Sequence, residues 1–220
     1  MNIEPGWSLD AARVEVWSLV LDEADEDASL LGVLDAAEQE QAARMRAGAV
    51  RKHFIKARAA LRCLLARYLG VLPSELALHL NAFGKPRLDG SALRFNLSHT
   101  RGLALYAMTC GREVGVDVEW IDAAVDWRPV APTVFTPDEI AALASRSDFF
   151  TAWARKEALL KGLGTGFGAP EAPSSAEGWT VRDLDVGSDC KAALAVHGSA
   201  AFQIVQRSLD ADLLFRLQQP

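Results

Sequence analysis

Cysteine is scarce in this chain of 220 residues, and the three present, Cys63, Cys110 and Cys190, stand apart from one another. Isolated thiols, odd in number, make neither a disulfide framework nor a zinc-ligand spacing, so a reducing, cytoplasmic setting is expected. Long apolar runs are missing as well. None approaches the ~18 residues that a membrane-spanning helix needs, and no membrane partner is expected. The first residues, Met1-Asn-Ile-Glu-Pro-Gly, have no basic region and no apolar core, so no signal peptide is expected either. Positive charge is not in excess. The formal net charge is −6, which argues against nucleic acid as a partner. No internal repeat is present. What the chain does have is apolar content of 50%, enough for one or two packed domains.

Charge is unevenly placed. Residues 22 to 27 read Asp-Glu-Ala-Asp-Glu-Asp, whereas residues 44 to 67 hold eight Lys and Arg side chains and no acid. Val50, Phe54, Leu61, Leu64, Leu65 and Tyr68 recur there at helical spacing. At ~100° per residue, Arg51, Arg58 and Arg62 fall on one stripe at the edge of the apolar face, placed to pair with acids or hold phosphate. Lys52, Lys56 and Arg67 fall on the far side, expected as a solvated face.

Carboxylates supply the sharpest pattern. In Val114-Gly-Val-Asp117-Val-Glu119 the valines alternate with Gly115, Asp117 and Glu119, a period of two that reads as a strand with both acids on one face. Two carboxylates about 7 Å apart on one strand repel each other unless a cation lies between them. Hard oxygen ligands suit Mg²⁺. A solvated strand face would show the same pair, so the triplet alone decides nothing. Three further segments surround it. Gly84-Lys85-Pro86 forms a turn. Phe95-Asn96-Leu97-Ser98-His99-Thr100 reads as the end of a strand. Trp153-Ala-Arg-Lys156-Glu157-Ala-Leu-Leu-Lys161 sets Trp153, Glu157 and Lys161 on one helical stripe, ahead of a glycine-rich stretch at Gly162, Gly164, Gly166 and Gly168.

In combination and in this order, these four segments resemble the motifs of the 4′-phosphopantetheinyl transferase superfamily, surfactin (Sfp-like) type, over roughly residues 44 to 166. The resemblance implies transfer of the phosphopantetheine arm of coenzyme A to a serine of an apo acyl or peptidyl carrier protein, with release of 3′,5′-ADP. It implies Mg²⁺, with Mn²⁺ as the alternative ion, held by Asp117, Glu119 and Glu157. Glu157 would be metal ligand, general base for the serine, or both. Lys161 and Lys156 would face the pyrophosphate, His99 and Ser98 a phosphate group, and Lys85 the nucleotide end. Arg46, Arg51 and Arg58 would meet the 3′-phosphate, with Arg44 and Lys52 as interchangeable candidates. Trp153 would pack and fix its helix, and His53, His79 and His197 would be structural. The rival reading is a catalytically degenerate module that binds carrier protein or coenzyme A without turnover; a small-nucleotide phosphohydrolase is a weaker one.

The element pattern predicts an α+β fold. Strands are expected near 13–21, 92–97, 103–109, 113–119, 191–197, 202–206 and 212–217. Helices are expected near 33–47, 50–69 and 148–162. Another begins at Pro137, where Thr136 and Glu139 make a capping box. Residues 169–178 read as loop. A boundary near Cys110-Gly111 separates residues 1–110 from residues 111–220. By resemblance, these two similar halves pack as a pseudo-dimer with coenzyme A in the cleft between them, so a monomer is expected.

Overall fold

The computed structural model of the chain describes residue 7 and residues 9–22, 28–46, 48–165 and 177–218. In chain order the elements are β1 (Arg13–Val20), α1 (Ala28–Val33), α2 (Ala36–Arg44), α3 (Ala49–Leu69), β2 (His79–Leu80), β3 (Pro86–Arg87), β4 (Leu93–Thr100), β5 (Leu103–Cys110), β6 (Val114–Trp120), α4 (Ala131–Val134), α5 (Pro137–Ala141), α6 (Arg146–Leu163), β7 (Trp179–Leu184), β8 (Cys190–His197), β9 (Gln203–Ser208) and α7 (Ala211–Leu217). The α+β class expected from the pattern is what forms. Gly166, Gly168 and most of the expected 169–178 loop lie outside the described residues, as does the acidic run from residue 23 to residue 27.

Two sheets face each other. One has the order β4-β5-β1-β9 and the other β6-β8-β7. Valines that alternate with polar residues make the contact. Val14 and Val16 of β1, Leu105 of β5, Val114, Val116 and Val118 of β6, and Leu194 and Val196 of β8 close one apolar layer between the sheets. The outer face of the first sheet is covered by α3, where Leu61, Leu64 and Leu65 are fully buried against Trp17, Phe95 and Tyr106. The outer face of the second is covered by α6, with Ala154 and Ala158 against Ala193 and Ala195. The layers therefore run helix, sheet, sheet, helix.

Four findings depart from the expected pattern. Residues 212–217 form helix α7 and no strand: Asp210 accepts the Leu213 N–H as an N-cap, and Leu214 and Leu217 turn inward. Strand β7 follows directly after the segment read as loop. Strand β9 pairs parallel with β1 and so joins the first sheet, although it comes last in the chain. Finally, α3 is buried almost all round in its central turns. Lys56, expected in solvent, donates its ammonium to the Val20 carbonyl at 2.8 Å, and Arg67 lies over the Trp7 ring. Val50, expected in the core, is 74% exposed. A helix packed on one sheet and overlaid by the short helices α1, α2 and α7 has no single wet face, and a one-face periodicity argument cannot foresee that.

Candidate functional site

Asp117 lies at the centre, 1% exposed on β6. Its Oδ1 accepts from the Lys161 ammonium at 2.6 Å and from the Ser98 hydroxyl at 2.9 Å. Lys161 also donates to Ser98 Oγ at 2.8 Å, so acid, lysine and serine form a closed triangle across three elements. The other oxygen, Oδ2, is buried with no hydrogen-bond partner among the described residues. Such a carboxylate oxygen is costly to leave dry and unmatched, and it marks a place for a cation or donor.

Two glycines bring α6 this close to β6. A Cβ added at Gly115 would lie 2.0 Å from the Ala158 carbonyl oxygen and 2.2 Å from the Gly162 nitrogen. Backbone meets backbone there, which only glycine at 115 allows. Glu157 and Lys161 are thereby carried over the face of β6 that bears Asp117 and Glu119. The end of α6 is fixed from the first half of the chain. Gly164 caps the helix in the left-handed conformation, the Asn81 amide donates to the Gly164 carbonyl at 2.9 Å, and the Lys85 ammonium donates to the Gly162 carbonyl at 2.9 Å.

Electrostatics single out the other two acids. Burial, then the nearby Asp117 charge, pushes Glu119 up to about 7, against the pull of Lys161 and a hydrogen bond from Trp153. Burial, then Asp117 and Glu119, pushes Glu157 up to about 7, with Lys161 opposing. These groups repel one another in the absence of a cation. No three His, Cys, Asp or Glu side chains among the described residues stand in an arrangement that could hold a metal ion as they are. The unmatched Asp117 Oδ2, the mutual repulsion and the all-oxygen donor set nevertheless fit a hard divalent cation.

On the other side of the β4 edge, a cleft of about 360 Å³ is lined by Arg58, Phe83, Gly84, Lys85, Asn96, Ser98, His99 and Lys161. Desolvation at the cleft wall, then the charges of Lys161, His53 and Arg58, holds the His99 imidazole below its ordinary value. Arg58, 21% exposed in its side chain, stacks over Phe54 and lies 3.9 Å from Glu38. The cleft is thus an anion-attracting hollow that shares Ser98 and Lys161 with the carboxylate site.

Other sequence-chosen residues sit elsewhere or are already engaged. Lys85 reaches the cleft wall, but its ammonium is enclosed by the Val114 and Gly162 carbonyls and Glu113, and burial lowers its pKa. Lys156 points away from Asp117, donating to the Val134 carbonyl at 2.5 Å with Phe135 and Glu139 beside it. Arg51 donates to the Ala42 carbonyl, Arg46 is exposed, and Arg44 pairs with Glu40. Arg62 is fully buried between Asp35 and Glu38 and the Pro73 and Leu76 carbonyls, an acidic pairing inside the fold. His53 pairs with Asp22 at 2.7 Å. The sequence reading passed over Gly115, Asn81 and Glu113, and gave Trp153 a packing role without its indole bond to Glu119. The N-x-x-G-K spacing of Asn81 to Lys85 was the available signal for the second of these.

A family model described as the 4′-phosphopantetheinyl transferase superfamily matches residues 113–209. The 4′-phosphopantetheinyl transferase HetI of Nostoc sp. (strain PCC 7120) is 32% identical over 217 residues, covering 88% of this chain and 92% of that protein. The chain belongs to the 4′-phosphopantetheinyl transferase superfamily. It is an enzyme of that class. A phosphopantetheinyl transferase of Thraustochytrium sp. is 30% identical across 81% of this chain and 72% of its own length. The 4′-phosphopantetheinyl transferase gsp of Aneurinibacillus migulanus is 29% identical over about half of each chain, 50% and 47%. The family match covers β6, α6 and the strands after them, where the three carboxylates and Lys161 reside. Among the described residues no helix is long and apolar enough to cross a membrane.

Proposed function

We propose that this phosphopantetheinyl transferase moves the 4′-phosphopantetheine arm of coenzyme A onto a serine of an apo acyl or peptidyl carrier protein and releases 3′,5′-ADP. The observation that carries the reading is the buried Asp117, one oxygen held by Lys161 and Ser98 and the other unmatched, next to a cleft bearing Arg58 and His99. A polyanionic substrate fits that juxtaposition: cations for its phosphates on one side, and acids for an accompanying metal on the other.

In this reading Asp117, Glu119 and Glu157 would hold Mg²⁺, which would neutralise charge on the pyrophosphate. His99, Arg58 and Ser98 bind the 3′-phosphate and neighbouring oxygens. Lys161 leaves Asp117 in part to meet the reacting phosphoryl group. The serine hydroxyl of the carrier attacks the phosphorus that bears the pantetheine. A P–O bond of the pyrophosphate breaks, and its electron pair leaves on the 5′-phosphate of 3′,5′-ADP. Glu157, on the α6 stripe beside Asp117 and Lys161, takes the serine proton, directly or through one water. The rest is positioning and charge stabilisation, as in other phosphoryl transfers. Lys156, engaged at Val134, serves α6 and not the phosphates. Lys85 serves the cleft wall, through its hold on α6. The chain works as a monomer, since both walls of the cleft come from one chain.

Mass spectrometry of an apo carrier protein incubated with coenzyme A and Mg²⁺ tests this. A gain of about 340 Da on one serine supports the transfer, the increment expected for a phosphopantetheinyl group moved in a step of this kind. Binding of carrier and coenzyme A with no mass change would favour the degenerate-module reading.

A further inference from the structure

Strands β4 and β6 are edge strands of different sheets, and no backbone ladder joins them. An edge strand turns alternate N–H groups outward, and if buried these must find acceptors. On β6 the outward groups belong to Val116, Val118 and Trp120, the first two buried. Side chains of β4 meet all three. Asn96 Oδ1 accepts from Val116 N–H at 2.8 Å, Ser98 Oγ from Val118 N–H at 3.4 Å, and Thr100 Oγ1 from Trp120 N–H at 3.4 Å. Acceptors at i, i+2 and i+4 on one strand match donors at i, i+2 and i+4 on the other, because both strands have a period of two. The result is a three-rung ladder made of side chain on one side and backbone on the other. It joins the half of the molecule that bears His99 and Arg58 to the strand that bears the acids. Asp117 stands between the first and second rungs, and the middle rung, Ser98, is the one that also donates to its Oδ1.

We infer that Asn96 and Thr100 are positioning residues for the transfer reaction: by fixing the edge of β6 they set Asp117 and Glu119 against the phosphate-binding wall. This rests on the reaction proposed above. Neither residue needs to touch the reacting atoms. Asn96 makes the shortest rung and is buried, so it should matter most. Thr100 lies at the end of the ladder, where Trp120 leads out of the strand.

The test pairs amide hydrogen exchange on metal-free protein with steady-state kinetics on an apo carrier protein, with coenzyme A and Mg²⁺ each titrated. In Asn96→Ala the Val116 amide should exchange ~10-fold faster or more, because its acceptor is gone. Per folded molecule, kcat should fall ~10-fold and half-saturating Mg²⁺ rise several-fold, with KM for coenzyme A changed less. Thr100→Val should do the same at the Trp120 amide to a smaller extent, and Thr100→Ser should restore both amide protection and the Mg²⁺ requirement. A purely structural role would lower the folded fraction and leave half-saturating Mg²⁺ where it was. Wild-type exchange at both amides overturns the inference, and so do wild-type kcat and Mg²⁺ dependence despite faster exchange. Should Asn96→Ala fail to fold, the Thr100→Val and Thr100→Ser pair decides. A wild-type enzyme that modifies no carrier refutes the proposed reaction instead, and the amide exchange still decides whether the ladder holds β6.

Discussion

Replacing Gly115 by alanine should damage both the fold and the reaction, by an amount the structure sets. The added methyl would sit 2.0 Å from the Ala158 carbonyl oxygen and 2.2 Å from the Gly162 nitrogen. Ordinary carbon–oxygen contact begins near 3.4 Å, so α6 would have to recede by about 1.4 Å. Both obstacles are backbone, so no rotamer change relieves them. Overpacking of this kind costs about 1–3 kcal/mol, and with rigid backbone on the far side the upper end applies. For a chain of this size that lowers Tm by about 6–12 °C. The second effect is on geometry. Lys161 and Glu157 ride on α6, and an outward shift of that size opens the 2.6 Å Lys161–Asp117 contact, and a displacement of even about 1 Å costs ~10²-fold in rate when it falls on catalytic groups. Gly32→Ala is the control: it has no atom within 4 Å and no left-handed φ, and should be neutral or stabilising. Thermal unfolding by circular dichroism and carrier modification by mass spectrometry read the two effects. Gly115→Ala with wild-type Tm and wild-type rate would refute the claim that a glycine contact seats α6 on β6.

Further outcomes are expected. Asp117→Ala should lower the rate ~10²-fold or more and abolish any stimulation by Mg²⁺, measured by steady-state kinetics against metal concentration. Glu119 and Glu157 are raised to about 7 in the metal-free fold from an ordinary 4.5, so the folded state holds extra protons. The stability this lends is fully present below pH 4.5 and is lost as pH rises through 7, so Mg²⁺ should raise Tm more at about pH 8 than at about pH 5.5, by differential scanning fluorimetry. Lys85→Met should lower Tm and loosen the end of α6, because the Gly162 and Val114 carbonyls lose their donor; amide exchange at residues 162–165 would report it, and unchanged protection would count against the clamp. Light scattering over a concentration series should give about 24 kDa throughout, the mass of one chain, whereas a stable trimer would contradict a site complete in one chain.

The residues themselves determined the chemistry. Alternation across Val114 to Glu119 placed Asp117 and Glu119 on one strand face. Helical spacing placed Glu157 and Lys161 on one stripe, and the capping box at Thr136 is a local bond that needs no tertiary partner. Such features depend on neighbours within a few positions, so they are legible in a linear string. The order of layers was not. Strand β9 joins β1 across nearly the whole chain, and residues 212–217 chose helix because their apolar side faces α3, a surface absent from their own sequence. The same distinction separates the lysines. Lys161 and Lys156 read alike as cations for the pyrophosphate, yet folding gives one to Asp117 and turns the other to the Val134 carbonyl. The pull on a charged group is a sum over everything within several ångströms, and those neighbours come from segments that only the packing of two sheets against each other brings together. So too with Gly115 and Asn96: the first is a small residue in a strand and the second a polar residue in a strand, until the helix lies against one and the edge of β6 against the other.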